Sequence, residues 1–252
     1  MSVKYDFTRK VIAITGGASG IGLATAELLA SSGALISVAD VHAESLAAAA
    51  SKIEQAGGTV LTRVVNVADS TQVNDWIAAT VDKFGKLDGA VNLAGMMGKD
   101  MNVHKIEDLE DDDWTAVIGV NLTGVMHCNR AQIRNMNPKG SIVNTASVAG
   151  VMGLPMAAAY TASKHGVVGL SRCAAKETGD RGIRVNCLAP GLIDTPMSRK
   201  SSEVRGAKRD FSQSIKRFGQ PEEVAELIVF LLSDASQYIS GTVQLIDGGW
   251  MC

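Results

Sequence analysis

Residues 15–22 of this chain, Thr-Gly-Gly-Ala-Ser-Gly-Ile-Gly, join an apolar run to a stretch rich in helix formers. The preceding residues 11–14, Val-Ile-Ala-Ile, are short and β-branched, as in a buried strand. A glycine-rich turn between a strand and a helix lets backbone approach a pyrophosphate, and the helix N-terminus offers free N–H donors. The spacing is Gly-x-x-x-Gly-x-Gly, not the commoner Gly-x-Gly-x-x-Gly. Alone it is a weak signal, because any tight strand-to-helix connection can use glycine.

Asp40 strengthens this interpretation because it ends the second apolar run, 18 residues after Gly22. An acidic residue at this place in a βαβ unit accepts hydrogen bonds from the adenosine ribose and repels a 2′-phosphate. No Arg or Lys lies in the glycine turn or directly after Asp40. The pattern therefore favours NAD over NADP, with a solvated strand-end Asp as the alternative.

Length and composition limit the possible classes of protein. The 252 residues are 46% hydrophobic and 20% charged, with a net charge of −2, which predicts one domain over 1–252 and neither a nucleic-acid nor a membrane partner. The four cysteines form no Cys-x-x-Cys pair, so we expect no metal site and no disulfide framework. We find no apolar signal core and no run of membrane-spanning length, and we expect a cytoplasmic protein.

Strand-like and helix-like segments alternate along the chain. This alternation predicts an α/β fold, a single-domain Rossmann-type doubly wound, seven-stranded, mostly parallel sheet with helices on both faces. We expect helices over 43–55, from Asp69 or Ser70 to 84, over 114–135 as one long helix, and over 157–178.

Two charged segments allow more than one interpretation. The acidic run 107–113 could hold a cation, but we favour charges placed to stabilise the N-terminus of the next helix. The basic, weakly patterned residues 192–217 could form a lid over a substrate or a solvated helix pair, and their charge would suit an acidic substrate.

Candidate chemistry collects where the predicted strands end, because ligands bind at the carboxyl ends of such strands. Ser147 follows the fifth strand, and the next helix carries Tyr160 and Lys164, four residues apart and so on one face. Tyr-x-x-x-Lys is common by chance, and its bland interpretation is a partly buried Tyr beside an exposed Lys. The motif becomes informative because it lies on the helix that follows Ser147 and the end of the fifth strand.

With these motifs in order, the chain resembles the short-chain dehydrogenase/reductase family over nearly its whole length. Residues 15–22 look like the family's cofactor turn, and residues 92–95, Asn-Leu-Ala-Gly, look like its Asn-Asn-Ala-Gly, with Leu93 in place of the second Asn. The family's catalytic tetrad matches Asn121, Ser147, Tyr160 and Lys164.

The resemblance implies a hydride transfer between NAD and a secondary alcohol or ketone. Tyr160 is the expected general acid/base, and Lys164 is expected to lower its pKa and to bind the nicotinamide ribose. Ser147 is expected to orient the substrate oxygen. Asn121 is expected to hold a water of a proton relay, although a helix Asn making a local backbone bond is the ordinary alternative.

The cofactor NAD is expected to contact residues of several loops. By resemblance, Asn66 and Val67 flank the adenine, and Ile193 and Thr195 lie at the nicotinamide carboxamide. The whole expected set is Gly16, Ser19, Gly20, Ile21, Gly22, Asp40, Asn66, Val67, Asn92, Ala94, Gly95, Tyr160, Lys164, Pro190, Gly191, Ile193 and Thr195.

Methionines are frequent among the residues that this fold would place around Tyr160. Such a lining suits a bulky apolar or polycyclic alcohol or ketone, unless these are core or interface methionines. Whether His104 contacts substrate stays open, and the chain loosely resembles fungal secondary-metabolite dehydrogenases of the family. The expected substrate residues are Met96, Val148, Met152, Met156 and Met197, with Met97, Gly150 and Leu154 nearby.

The sequence also allows expectations about the assembly of the protein and about functions other than a dehydrogenase. Helix 157–178 is rich in small residues, and in the family the equivalent helix lies at a subunit interface, so we expect a homotetramer, or a dimer next. Alternatives to a dehydrogenase are a non-redox or multistep role on a complex metabolite, or a catalytically silent dinucleotide-sensing scaffold.

Overall fold

The computed structural model describes residues 5–205 and 212–252. The strands are β1 Val11–Thr15, β2 Leu35–Asp40, β3 Thr59–Val64, β4 Leu87–Asn92, β5 Met136–Thr145, β6 Arg184–Pro190 and β7 Val243–Ile246. The helices are α1 Gly20–Ser31, α2 Ala43–Gln55, α3 Ser70–Phe84, α4 Asp111–Ile118, α5 Gly124–Arg134, α6 Ala158–Glu177, α7 Pro196–Arg205 and α8 Pro221–Leu232. A π-helical turn, Gly119–Thr123, joins α4 to α5.

The strands form one parallel sheet in the order β3-β2-β1-β4-β5-β6-β7. All five residues of β1 are buried, and they alternate between two cores. Ile12 and Ile14 pack with residues of α1 and α8, whereas Val11 and Ala13 pack with residues of α3 and α5. The alternation places apolar side chains on both faces, as a doubly wound sheet requires. The predicted Rossmann-type fold is confirmed.

Several helix ends lie where the sequence places them. Helix α2 has the predicted bounds, and α3 begins after Asp69, whose carboxylate accepts hydrogen bonds from the backbone N–H groups of Thr71 and Gln72. Helix α8 begins with Pro221 in its first turn. Asp111, Asp112 and Asp113 lie in the first turn of α4, so the acidic run serves a helix N-terminus as expected.

Two sequence expectations about helices are wrong. The single helix over 114–135 begins earlier, at Asp111, and a π-helical turn over Gly119–Thr123 divides it. Residues 192–217 are not irregular throughout, because α7 occupies Pro196–Arg205. Of that segment, residues 206–211 lie outside the described residues.

The order of strands reverses between β1 and β4, which creates a crevice at the carboxyl ends of these two central strands. Ligands bind at such switch points in open parallel sheets. The loops after β1, β2, β4, β5 and β6 all reach this edge, and they carry most of the predicted site residues. Among the described residues, no helix has the length and apolar character needed to cross a membrane.

Candidate active site

The glycine-rich turn after β1 depends on close backbone approach. Gly16 has φ of +67°, and a Cβ added there would lie 2.8 Å from the backbone nitrogen of Ala94. The backbone N–H of Gly16 donates to the carbonyl of Ala39 over 2.8 Å. The turn is therefore packed between the ends of β2 and β4, where a side chain has no room.

The N-terminus of α1 is open to an anion. Ser19 is the N-cap, yet its side chain makes no capping hydrogen bond, and the first turn of α1 holds no acidic residue. Uncapped N–H groups and the positive end of the helix dipole favour a phosphate here. The Gly20 to Gly22 backbone thus fits the pyrophosphate of a dinucleotide.

Asp40 is bound to the same turn. Its Oδ2 accepts a hydrogen bond from the backbone N–H of Ala18 over 3.1 Å, and its Oδ1 accepts one from the backbone N–H of His42 over 3.1 Å. The carboxylate thus fixes the glycine turn against the end of β2, a structural role that sequence reasoning missed. Each oxygen keeps further acceptor capacity for a ribose hydroxyl.

The structure brings Tyr160 and Ser147 together. Ser147 follows β5 and its hydroxyl accepts a hydrogen bond from the backbone N–H of Ala149 over 3.2 Å. Burial raises the pKa of Tyr160, and the side-chain hydrogen bond with Ser147 opposes that rise. Burial therefore outweighs the hydrogen bond of Ser147, and the lowering of the pKa of Tyr160 by Lys164 stays a prediction.

Lys164 lies in contact with Tyr160, with its Nζ 5.5 Å from the centroid of the phenol ring. The ammonium donates to the carbonyl oxygen of Thr145 over 2.9 Å, and the residue is 5% exposed. Burial lowers the pKa of Lys164 to about 8. The lysine is therefore not the exposed surface residue of the bland interpretation.

Asn121 lies in the π-helical turn and is fully buried. Its Oδ1 accepts from the backbone N–H of Met96, and its Nδ2 donates to the carbonyl of Met96, both over 2.8 Å. Nδ2 also lies 3.2 Å from the hydroxyl of Ser163. The π-helical turn therefore directs Asn121 at the loop after β4, a geometry known to mark functional sites.

Gly95 lies where Asn121 and Lys164 converge. A Cβ added at Gly95 would lie 3.2 Å from Oδ1 of Asn121 and 3.6 Å from Nζ of Lys164. All four predicted tetrad residues thus belong to one connected group: Tyr160 meets Ser147 and Lys164, and Gly95 lies between Lys164 and Asn121.

The segment after β6 covers the glycine turn. Pro190 ends β6, and the N–H of Gly191 donates to the carbonyl of Ile246 over 3.0 Å. Thr195 lies next to Gly20, since a Cβ added at Gly20 would lie 3.1 Å from its methyl carbon. The side chain of Ile193 is 6% exposed, so its contribution to a ligand surface is small.

Asn92 and Val67 of the expected cofactor set also have buried side chains. Asn92 is 1% exposed, and its amide exchanges hydrogen bonds with Gln132 and donates to Asn144 over 2.8 Å. Val67 is 5% exposed, whereas Asn66 beside it is exposed. Asn92 holds strand and helix together rather than presenting its amide to the crevice.

The expected substrate residues are distributed unevenly around Tyr160. Met156 lines a cleft with Tyr160, and Met97 lines it rather than Met96. Met197 is exposed and Met152 half-buried, but Val148 is 2% exposed and has almost no surface to offer a substrate. The cleft also includes Met101, His104 and Leu109.

The basic character of residues 192–217 is partly neutralised. The guanidinium of Arg199 forms two contacts with Asp194, over 2.8 and 3.1 Å, and that of Arg217 forms two with Glu223, both over 2.7 Å. These pairs weaken the case for an acidic substrate. Within residues 5–205 and 212–252, no group of three or more His, Cys, Asp or Glu side chains could hold a metal ion.

Sequence reasoning missed three partners that shape the site. They are the carbonyl of Thr145, the hydroxyl of Ser163 and the backbone of Met96. Ser163 precedes Lys164 in the sequence, but only the packing of α6 against the π-helical turn reveals that it meets Asn121. A backbone carbonyl leaves no side-chain signal at all.

Comparison with known proteins identifies the family and the fold of this chain. Residues 16–251 match a family model described as enoyl-(acyl carrier protein) reductase. The chain is 46% identical over 253 residues to the short-chain dehydrogenase/reductase aba4 of Botryotinia fuckeliana, covering 98% of each chain. A crystal structure of levodione reductase superposes with a TM-score of 0.90 at 40% identity, covering 96% of this chain and 97% of that one. A crystal structure of a variant actinorhodin polyketide ketoreductase with NADPH superposes with a TM-score of 0.89 at 31% identity. It covers 96% of this chain and 97% of that one.

Proposed function

The chain belongs to the short-chain dehydrogenase/reductase family, and we propose that it transfers hydride between NAD(H) and a secondary alcohol or ketone. The observation that carries the proposal is the contact of the half-buried Tyr160 with both Ser147 and the buried Lys164. A titratable hydroxyl with a shifted pKa, held beside an orienting hydroxyl and a buried cation, is the arrangement that general acid/base catalysis needs.

Tyr160 is the proposed acid/base. In ketone reduction its O–H gives a proton to the substrate oxygen while hydride reaches the carbon, and oxidation reverses both transfers. Burial raises the pKa of Tyr160, which keeps the phenol protonated at neutral pH and suits the reduction. Ser147 is proposed to hold the same substrate oxygen and to stabilise the charge that develops on it.

Lys164 is the proposed group that binds ribose and returns the proton to Tyr160. With a pKa of about 8, its ammonium can lose a proton near neutral pH more readily than an ordinary lysine. Asn121 is proposed to hold a relay water at Lys164. Gly95 supports that role, because the lack of a side chain there lets the backbone lie close to both Oδ1 of Asn121 and Nζ of Lys164.

NAD is the proposed cofactor, and when bound it supplies the hydride acceptor or donor. The chain holds Asp40 at the end of β2, where its negative charge would repel a 2′-phosphate. The open N-terminus of α1 would bind the pyrophosphate, and Thr195 over Gly20 would close the crevice. The remaining cofactor-binding residues are proposed as the sequence predicts them, except Asn92, whose amide is bonded to Gln132 and Asn144.

The proposed substrate is a bulky apolar or polycyclic molecule. Support comes from the methionines and leucine of the cleft at Tyr160, and from the exposed Met197. Two similar structures are, by their names, a reductase of levodione and a polyketide ketoreductase. Residues 192–217 are proposed as a lid, since they begin directly beside the glycine turn.

A homotetramer is the proposed assembly. Helix α6 leaves Gly169 and Cys173 exposed, and a Cβ added at Gly169 would meet nothing within 4 Å. A face of such small residues permits close packing of a second copy. Mass measurement in solution at several protein concentrations tests this part of the proposal.

The reaction is tested with a panel of cyclic and polycyclic ketones and NADH or NADPH, followed by cofactor absorbance. Turnover with NADH supports the proposed reaction and the Asp40 argument. A preference for NADPH would overturn the cofactor assignment, and absence of hydride transfer across the panel while cofactor binds would favour a non-redox role.

A further inference from the structure

The cleft beside Tyr160 has a mixed lining. Its apolar surface includes Met97, Met101, Leu109 and Met156, and its polar side chains include Asp100, His104, Lys105 and Asp113. His104 interrupts this surface, and its side chain is 37% exposed. Asp100 and Asp113 already accept hydrogen bonds from backbone N–H groups, so the partly exposed imidazole and Lys105 are the groups left to recognise a polar atom.

His104 is held in place by Asp100. Its Nδ1 is buried and lies 3.2 Å from Oδ1 of Asp100, close enough for an ion pair although outside hydrogen-bond direction. Asp100 is 4% exposed, and its Oδ2 accepts from the backbone N–H of Glu110 over 3.0 Å. The carbonyl of Asp100 accepts from the N–H of His104 over 3.0 Å. The carboxylate is therefore held by the backbone with one oxygen beside Nδ1 of the imidazole.

The turn that carries His104 is joined to the reaction site. The N–H of Asn102 donates to the carbonyl of Met156 over 2.8 Å, and its side-chain amide donates to Ser201 of α7 over 3.1 Å. Asn102 and Met156 have φ of +66° and +53°. Positive φ is costly for a methionine and concentrates at functional sites. His104 is thus positioned relative to Tyr160 and the proposed lid.

We propose that His104 binds a second oxygen substituent of the substrate, remote from the carbon that reacts at Tyr160. Because Nδ1 is buried against Asp100, Nε2 is the nitrogen left for a ligand. It can accept from a hydroxyl when the proton of the neutral imidazole is on Nδ1, and it can donate to a carbonyl when Nε2 carries a proton. The substrate class is therefore an apolar carbocycle with two oxygen functions, such as a diketone or hydroxyketone. This inference rests on the proposed reaction at Tyr160.

Asp100 is a positioning residue in this account, and Lys105 is the nearest alternative donor, since it also lines the cleft. Uncharged ligands distinguish binding by His104 from binding by Lys105, because the ammonium of a lysine has no opposite charge to attract in such a ligand. The probes are cyclohexanone, cyclohexane-1,4-dione and 4-hydroxycyclohexanone. Binding to the NADH-loaded protein is measured by calorimetry, and turnover is measured beside it.

The wild-type protein is expected to prefer both two-oxygen probes over cyclohexanone by about tenfold or more in Kd. His104→Phe, which keeps a planar ring without nitrogens, should reduce that preference to within about twofold and leave cyclohexanone unchanged. Lys105→Met should keep the preference, and His165→Phe, on the exposed face of α6, is the matched control. The dione accepts hydrogen bonds only, so a larger effect on the hydroxyketone identifies Nε2 as the acceptor.

The inference is overturned if the wild type shows no preference for two-oxygen probes, or if Lys105→Met removes the preference while His104→Phe keeps it. Failure of the proposed reaction looks different. In that case no probe is reduced by NADH, but the binding preference and its dependence on His104 persist.

Discussion

The ammonium of Lys164 donates a 2.9 Å hydrogen bond to the carbonyl oxygen of Thr145, the last residue of β5. This bond joins α6 to the strand that leads into Ser147. It explains how a lysine that is 5% exposed keeps its place beside Tyr160. Since one carbonyl only partly replaces water around an ammonium, burial still lowers the pKa of Lys164 to about 8.

The lowered pKa of Lys164 predicts a specific pH dependence of stability. In the unfolded chain the lysine titrates with the ordinary pKa of a solvated lysine, 10.5, so between about pH 8 and that value the unfolded state holds more protons than the native state. The free energy of unfolding of the wild type, relative to Lys164→Met, should therefore rise with pH. The total rise is about 3 kcal/mol.

Denaturant unfolding of the two proteins from about pH 7 to about pH 10 measures this difference. Using Lys164→Met as the reference cancels the titration of the other lysines and tyrosines. A difference that stays flat over this window would show that Lys164 titrates as an ordinary solvated lysine, and one that falls would show a raised pKa, so either result contradicts the lowered pKa.

The glycine turn predicts a matched pair of alanine variants. Gly57→Ala introduces a side chain at φ of +83° with nothing within 4 Å, so it should cost about 1 kcal/mol of stability from backbone strain alone. Gly16→Ala adds a contact of 2.8 Å with the backbone of Ala94 and should cost about 2 to 4 kcal/mol.

Cofactor binding separates the two glycine variants further. We expect Gly16→Ala to raise the Kd for NADH by about tenfold or more. The new side chain pushes the turn away from Ala94, and the backbone groups of the turn then no longer lie where the cofactor would bind. Gly57→Ala should leave the Kd unchanged, since Gly57 follows α2. Fluorescence titration gives both constants, and equal effects of the two variants would contradict the role of the turn.

Asp40 predicts a change in cofactor preference. Asp40→Asn removes the charge, while its amide oxygen can still accept from the backbone N–H of Ala18. The ratio of kcat/KM for NADPH to that for NADH should rise by about tenfold or more. The stability should fall by about 1 kcal/mol or less. An unchanged ratio would mean that Asp40 serves only to hold the turn.

Asn121 predicts a coupled loss of stability and rate. Asn121→Leu leaves the part-buried N–H and carbonyl of Met96 without their partner, which should cost about 2 to 4 kcal/mol. Asn135→Ala is the matched control, because it removes one local bond to the carbonyl of Ala131 and should cost about 1 kcal/mol or less.

Activity distinguishes a relay from a purely structural Asn121. Asn121→Leu should lower kcat by about tenfold or more and shift its pH profile, because proton return to Tyr160 slows. A lower melting temperature with an unchanged kcat and pH profile would reduce Asn121 to a structural residue.

Much of the fold could be predicted because local patterns and tertiary structure agree. Asp69 caps α3 and Pro221 opens α8 through contacts within a few residues, and the alternation along β1 matches its burial. The proximity of Ser147, Tyr160 and Lys164 could also be predicted. Ser147 lies at a strand end, and Tyr160 and Lys164 lie on one face of the helix that follows it.

The remaining features depend on contacts distant in the sequence. The π-helical turn at Asn121 is stabilised by Met96, 25 residues earlier, so the local sequence cannot distinguish it from an ordinary helix. Ser147 and Val148 are neighbours, yet the second is buried, because the chain turns there into a short 3-10 helix. The Asp100–His104 pair becomes visible only beside the cleft it lines.

The most direct test of the central claim is single-turnover hydride transfer in wild type and Tyr160→Phe. Enzyme loaded with NADH is mixed with a reactive cyclic ketone, and the Kd for NADH is measured in parallel. We predict that Tyr160→Phe slows hydride transfer by about 10²–10⁴-fold and leaves the Kd within about twofold. Equal rates in the two proteins would contradict the assignment of Tyr160 as the acid/base.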